Sequence, residues 1–211
     1  MKTDDLITLM THDAPVGMRY GRALTLALGA GIVVSTVLLV VTVGLRHNMV
    51  SVFETTRVLF KIVVTLMLAV LAARLAMRIG RPGAVTRFPA LLLGVPLVMV
   101  ATAVVTELSV LPDNAWRANL VGQNALFCLF FVPVLSLAPF AGLFWALKKG
   151  APRNPAAAGA AAGLAAGAIA AAIYAWHCPD DSPLFLATWY TIAIAGVTSV
   201  GALLGRRWLR W

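Results

Sequence analysis

Residues 22–45 read RALTLALGAGIVVSTVLLVVTVGL, a long and almost uninterrupted apolar segment. Apart from Arg22 at its start, it contains no charged residue. A helix of about 20 apolar residues crosses the ~30 Å hydrocarbon core of a bilayer. A strand of a membrane barrel would instead alternate apolar and polar residues over a shorter length. The stretch therefore predicts a transmembrane helix.

Five more apolar runs of similar length follow it, and the whole chain is 61% hydrophobic, only 12% charged, with a mean hydropathy of +0.90. The predicted spans are residues 22–45, 58–77, 88–108, 121–147, 156–176 and 184–204. We expect an all-α, polytopic membrane bundle of six helices, formed by residues 19–211. Residues 1–18 form a separate N-terminal tail.

The basic residues predict how the bundle is oriented. Of the 17 Lys and Arg residues, 13 lie at one set of span ends or in the tail, and four lie at the other set. Positively charged residues accumulate on the cytoplasmic side of membrane proteins, so both termini are expected in the cytoplasm. Contact of these residues with anionic lipid head groups accounts for the net charge of +9, and no direct nucleic-acid partner is expected.

Polar chemistry is concentrated at residues 177–183, HCPDDSP, in the short connection before the sixth span. His177, Cys178, Asp180 and Asp181 are potential metal ligands. Asp181 or Ser182 is also suited to cap the sixth helix, with Pro183 as its first residue. The predicted topology places this connection outside the cytoplasm.

The chain has a second cysteine, Cys128, about seven residues or ~10 Å into the outer half of the fourth span. Three interpretations are open. The two thiols could form a disulfide if their α-carbons come within about 7 Å. Together with His177 and a carboxylate they could bind a soft or borderline divalent metal such as zinc or cadmium. Alternatively, Cys128 is only a small buried apolar residue.

The fifth span is rich in alanine and carries Gly159, Gly163 and Gly167 at every fourth position. Small residues at this spacing let a neighbouring helix approach closely. We expect packing within the bundle, with a homodimer contact as the alternative. Pro133 and Pro139 lie inside the fourth span, where each removes a backbone hydrogen bond.

Catalytic motifs are missing from the sequence: there is no His-Glu-x-x-His, glycine-flanked serine or phosphate-binding loop. We therefore do not expect an enzyme or a resident cofactor. A small metal or solute transporter, with the outer cysteines as a loading site, is the alternative function. It predicts polar residues across the centre of the bundle, and these are sparse in the spans.

Three segments of the chain resemble the NrsF family: MKTDDLI at residues 1–7, HCPDDSP at residues 177–183 and GRRWLRW at residues 205–211. Members of this family are six-span anti-sigma factors of the bacterial inner (cytoplasmic) membrane. The resemblance implies a cytoplasmic sigma factor of the extracytoplasmic-function class as partner, besides the membrane lipids. It further implies that Cys128 and Cys178 sense oxidative or heavy-metal stress.

The resemblance also assigns a role to the tail, which would capture the sigma factor. The residues implied are Asp4, Asp5, Leu6, Ile7 and Leu9. Their acidic and apolar character suits a short helix that folds on binding. Such a helix is too short to be stable alone in water.

Overall fold

The computed structural model of the protein describes residues 3–12, 20–46, 55–81, 83–150 and 152–209. These residues form helices and turns, with no strand among them. The helices are α1 Thr3–His12, α2 Tyr20–Thr42, α3 Thr56–Ile79, α4 Arg87–Val110, α5 Asp113–Val121, α6 Ala125–Lys148, α7 Pro155–Tyr174 and α8 Pro183–Trp208. Helix α4 is interrupted at Leu93, and α8 contains a π-helical turn at Leu186–Tyr190.

Within the described residues, six helical segments are long and apolar enough to cross a membrane, as the sequence predicts. The protein is a polytopic membrane bundle. The fourth of these segments, Asp113–Lys148, is longer than predicted because α5 precedes α6. The two helices are separated at Gly122, whose φ of +58° does not belong to a helix.

Helix α7 forms the centre of the bundle and packs against α3, α6 and α8. Its alanines leave little side-chain bulk, so the surrounding helices come close to its backbone, and most of its residues are buried. Helix α2 lies outside α7 and packs mainly on α6, whereas α4 lies at the edge with most of its surface exposed. In a membrane this exposed apolar surface faces lipid.

Two of the predicted packing glycines lie directly on α8. A Cβ atom at Gly159 would overlap the carbonyl oxygen of Gly201, and one at Gly163 would lie 2.6 Å from the carbonyl oxygen of Val197. The contact is reciprocal, because a Cβ at Gly205 would overlap the carbonyl oxygen of Pro155. At Gly167 the helices have separated to ordinary van der Waals distance. The stripe thus serves a contact within one chain.

A side chain from α2 compensates for the proline in α6. Pro139 has no N–H group, so the carbonyl of Leu135 loses its normal partner in the helix. The buried hydroxyl of Ser35 donates a hydrogen bond to this carbonyl at 2.6 Å. Gly31, one turn earlier on α2, makes room for Pro139 itself. The two helices are therefore in close backbone contact at the position where Pro139 removes a backbone hydrogen bond from α6.

Candidate functional site at the thiol end

The candidate site is built around the connection between α7 and α8, residues 175–182. At this end of the bundle α2, α4 and α7 finish, and α3, α6 and α8 begin. Hydrogen bonds connect residues 177–182 to residues at or beside α2, α3, α4 and α6. We call this region the thiol end, because both cysteines lie in it.

Lys61 of α3 holds the backbone on either side of Cys178. Its side chain is buried, with the residue only 1% exposed. The ammonium group donates to the carbonyl oxygens of Cys178 at 2.7 Å and Asp180 at 3.0 Å, and to Oδ1 of Asp181 at 3.0 Å. Its three donors therefore each have an acceptor. A buried ammonium group is stable only when it is paired in this way.

Asp181 links Lys61 to the segment that follows α2. Its second carboxylate oxygen accepts a hydrogen bond from Nη1 of Arg46 at 2.7 Å. The backbone N–H of Arg46 donates to the carbonyl of Trp176 at 3.3 Å, and Nδ1 of His177 lies 3.0 Å from the carbonyl oxygen of Gly44. The end of α2 is thus attached directly to the α7–α8 connection.

Asp180 attaches the same connection to the start of α6. Its carboxylate accepts hydrogen bonds from the backbone N–H of Gln123 at 3.1 Å and of Asn124 at 2.8 Å, and from the Asn124 side-chain amide at 3.2 Å. Gly122 permits this approach, since a Cβ there would lie 2.8 Å from the carboxyl carbon of Asp180. The carboxylate also suits the positive end of the α6 dipole.

Ser182 and Glu107 form the remaining attachment, between α8 and α4. Ser182 caps α8 and Pro183 is its first residue, as predicted. Oε2 of Glu107 accepts from Oγ of Ser182 at 2.8 Å and from the backbone N–H of Leu184 at 3.1 Å. Oε1 lies 3.5 Å from Nη2 of Arg57, an ion pair too long for a good hydrogen bond.

The two thiols lie in one buried apolar cluster, and both cysteines are 0% exposed and free. Cys128 is in the first turn of α6, where its N–H donates to the carbonyl of Asn124. It therefore lies only ~4.5 Å along the axis from the start of α6, at the level of the connection. Burial raises the pKa of the Cys178 thiol, although the nearby Lys61 ammonium acts in the opposite direction. At neutral pH Cys178 is accordingly a protonated thiol.

The predicted metal ligands other than the thiols point to different partners. Asp180 faces the start of α6, Asp181 faces Arg46 and Lys61, and His177 faces Gly44. Within the described part of the chain no group of three or more His, Cys, Asp and Glu side chains is placed to hold a metal ion. The fold instead brings the two cysteines together, because Cys128 and Cys178 share one apolar cluster.

Comparison with known proteins identifies the family. The family profile NrsF, described as "Negative regulator of sigma F", matches residues 9–211. The chain belongs to the NrsF family. It is 34% identical over 219 residues to the "Probable anti-sigma-F factor NrsF" of Azospira oryzae. It is 30% identical over 214 residues to the "Anti-sigma-F factor NrsF" of Caulobacter vibrioides, and each alignment covers 100% of both chains. No solved structure matches the chain.

Membership of the NrsF family supports an anti-sigma-factor function, a sigma-factor partner and a regulatory role. The segment expected to bind the partner is helical in the structure, as α1. The side chains of Asp4, Asp5 and Ile7 are exposed, whereas those of Leu6 and Leu9 are outside the described part.

Several residues of the thiol end are not recognised as site residues from the sequence, among them Lys61, Tyr174 and Tyr190. Lys61 carried a usable signal, since it is a charge inside a predicted apolar span. The tyrosines did not, because tyrosine near a span end is common at the membrane interface. Only the folded arrangement places both rings in the cluster that contains the thiols.

Proposed function

We propose that this NrsF-family protein holds an extracytoplasmic-function sigma factor at the bacterial inner membrane and releases it on oxidative or heavy-metal stress sensed by Cys128 and Cys178. The tail with α1 captures the sigma factor on the cytoplasmic side. The thiol end receives the signal on the opposite side. The observation that carries this proposal is the burial of two free thiols together at one end of a bundle from an anti-sigma-factor family.

The distribution of charge supports this orientation. The end opposite the thiols holds the starts of α2 and α7 and the ends of α3, α6 and α8. Basic residues cluster there, including Arg78, Arg81, Lys148, Arg206 and Arg207. Since positive charge accumulates on the cytoplasmic side, this end belongs with the sigma factor. Helix α7 has 20 residues, so about 30 Å separates the two ends.

Attachment of the connection to α2 supplies a route between signal and response. Gly44 and Arg46 lie just after α2 and contact His177 and Asp181, while α1 precedes α2 in the sequence. A displacement of Cys178 toward Cys128 strains these contacts and shifts α2 relative to α6 and α7. A signal can drive such a change only through different affinities for the two bundle states.

The chemistry at the thiols differs for the two kinds of stress. With a hydroperoxide as oxidant, the two thiols lose two electrons and two protons and form a disulfide, and the peroxide oxygen–oxygen bond is reduced to an alcohol and water. With a soft metal cation, each thiol loses its proton to solvent and its sulfur becomes a ligand. Both reactions draw α6 and the connection together, so either produces the same rearrangement.

The alternative of a transporter gains no specific support. Among the described residues, the buried hydroxyl groups of Ser35, Thr65 and Ser136 donate to helix carbonyls. The buried charges, Lys61 and Glu107, lie at the thiol end. These groups stabilise the bundle and do not form a polar path through it.

Release of a bound sigma factor tests the proposal. The full chain is purified in detergent from its host together with the extracytoplasmic-function sigma factors, and retention is measured before and after addition of hydrogen peroxide or Cd²⁺. We expect co-purification without treatment and loss of the sigma factor after it. The variant Cys128→Ser/Cys178→Ser is the control and should retain the sigma factor in both conditions. Failure of any such sigma factor to co-purify would contradict the proposal.

A further inference from the structure

Two tyrosine hydroxyl groups at the thiol end are buried without a satisfactory hydrogen bond. Tyr174 is the last residue of α7 and is 0% exposed, and Tyr190 closes the π-helical turn of α8 and is 2% exposed. Neither phenolic oxygen has a partner of acceptable geometry in the described part of the protein. An unpaired buried hydroxyl is destabilising, and phenylalanine would fill the same space without this cost. Packing alone therefore does not account for the two oxygens.

Both rings lie in the buried cluster that contains Cys178 and Cys128, and the Cys178 N–H donates to the carbonyl oxygen of Tyr174 at 3.1 Å. The two rings pack against each other with centroids 6.1 Å apart, and Tyr174 stacks on Phe131 at 6.3 Å. The π-helical turn at Leu186–Tyr190 carries Tyr190 beneath Lys61, whose ammonium nitrogen lies 5.8 Å from the ring centroid. Such turns often occur at functional sites. The rings are thus held firmly on two helices that face the connection.

The chemistry of the two groups is complementary. A protonated thiol is a weak hydrogen-bond acceptor, so it leaves the phenolic donors poorly satisfied. A thiolate is an anion and accepts strong, charge-assisted hydrogen bonds. The reacting form of cysteine is the thiolate, and it is disfavoured in an apolar cluster unless donors surround it. The two unpaired tyrosine hydroxyl groups in the cluster of Cys178 are donors of the kind that a buried thiolate requires.

We propose that Tyr174 and Tyr190 complete the sulfur site: their hydroxyl groups donate hydrogen bonds to the Cys178 thiolate and thereby set how readily this cysteine reacts. The thiol proton passes to solvent base as the thiolate forms. Tyr174 and Tyr190 are positioning residues, because they act through Cys178. This inference rests on the proposed function in taking Cys178 as a reacting thiol.

Other charged or titratable groups also surround Cys178, and the test keeps them constant. The cations are Lys61 from α3 and Arg46 after α2, and the connection itself contributes His177, Asp180 and Asp181. Cys128 of α6 is replaced by serine in every variant, so that Cys178 is the cysteine whose alkylation is measured.

The experiment measures the alkylation of Cys178 by N-ethylmaleimide as a function of pH, using the full chain in detergent and mass spectrometry. The variants are Tyr174→Phe, Tyr190→Phe and their combination. Tyr20→Phe, the change at the third tyrosine, at the start of α2, is the matched control. Each lost hydrogen bond to the thiolate should raise the midpoint of the profile by about one pH unit and slow alkylation at pH 7.5 about tenfold. Thermal stability of the phenylalanine variants should be equal or higher.

The shape of the profile separates this role from simple packing. If the tyrosines only hold the bundle closed, their loss changes the rate by one factor at every pH and leaves the midpoint unmoved, and this result overturns the inference. An unchanged profile overturns it as well. Stress-induced release of the sigma factor is measured in parallel with Cys128 present. If the midpoint of alkylation shifts in the phenylalanine variants but release of the sigma factor is unaltered, the result contradicts the sensing function and supports the role of the tyrosines. An unmoved midpoint, with release abolished by Cys178→Ser, overturns the role of the tyrosines and supports the sensing function.

Discussion

The ammonium nitrogen of Lys61 lies 3.0 Å from the carboxylate of Asp181, and the lysine also binds the carbonyl oxygen of Cys178. Lys61 belongs to α3, and Asp181 lies in the α7–α8 connection. The ion pair therefore anchors the segment that carries the thiol to a different helix. Because the pair is largely removed from water, breaking it is costly: without Asp181 the buried ammonium group keeps only carbonyl partners, and without Lys61 the carboxylate keeps only Arg46 as a cation.

Replacement of Lys61 by methionine should destabilise the protein strongly. The change removes one of the two cationic partners of Asp181 and the lysine donor to two carbonyl groups, and we expect the free energy of unfolding to fall by about 3 kcal/mol. Lys61→Arg keeps the positive charge, so its free energy of unfolding should fall by less. Thermal unfolding in detergent, followed by circular dichroism, measures the effect. Arg117→Met removes an exposed charge from α5 and is the control. Equal melting of Lys61→Met and Arg117→Met would refute the structural role of the lysine.

Alanine at Gly159 or Gly163 should loosen the contact between α7 and α8. The added methyl group meets backbone atoms of α8, which move only if the helices separate, so a loss of about 1–3 kcal/mol is expected. Gly196→Ala on α8 is the matched control, since nothing lies within 4 Å of its added Cβ. That variant should be neutral or gain up to about 1 kcal/mol from helix propensity. The same thermal measurement decides, and a neutral Gly159→Ala would contradict the observed packing.

The pairing of Ser35 with the Leu135 carbonyl predicts a non-additive double variant. Ser35→Ala should cost about 1 kcal/mol, because it leaves that carbonyl unpaired. Pro139→Ala restores an N–H group at position 139, which can bond to the same carbonyl within the helix. Ser35→Ala should therefore cost less in that background. Ser199→Ala, at an exposed serine bonded within its own helix, is the control. An equal cost of Ser35→Ala in both backgrounds would rule out the compensation.

Loss of the thiols should abolish induction and preserve repression. A serine hydroxyl at position 178 can keep the weak hydrogen bond that the Cys178 thiol donates to the carbonyl oxygen of Asp180 at 3.9 Å. Cys128→Ser and Cys178→Ser should therefore leave the resting bundle and sigma binding intact. A reporter gene driven by the sigma factor is measured with and without hydrogen peroxide or Cd²⁺. Reporter activity in each variant should stay at the uninduced level. Full induction in the double variant would show that the thiols do not receive the signal.

Charge reversal in α1 should weaken capture of the sigma factor. Asp4 and Asp5 are exposed in the first turn, where they also stabilise the helix through its dipole. We expect Asp4→Lys/Asp5→Lys to lower affinity at least about tenfold, measured by binding of the purified sigma factor to the full chain. Asp113→Lys reverses an exposed charge at the start of α5, at the thiol end, and serves as the control. Unchanged affinity in the tail variant would remove α1 from the binding surface.

Much of the fold could be predicted because it depends on local composition. Each of the six apolar runs is recognisable by its own length, and Ser182-Pro183 is recognisable as the start of a helix. Glycine at every fourth residue of α7 likewise indicates a close helix contact. The break at Gly122 is not predicted from the sequence, because residues 121–147 are placed there in one continuous span. It depends on Asp180, which lies far away in the sequence and binds the freed backbone.

Six membrane spans and a concentration of ionisable side chains in HCPDDSP can be read from the amino-acid composition of each segment, because partition into a bilayer depends on that composition. The partners of the residues in HCPDDSP are visible only in the folded bundle. His177, Asp180 and Asp181, all plausible metal ligands by type, bind the ends of other helices, while Tyr174 and Tyr190 join Cys178 and Cys128. These pairings depend on which helix ends meet, and that follows from the packing of α7 against its neighbours, a property of the whole bundle.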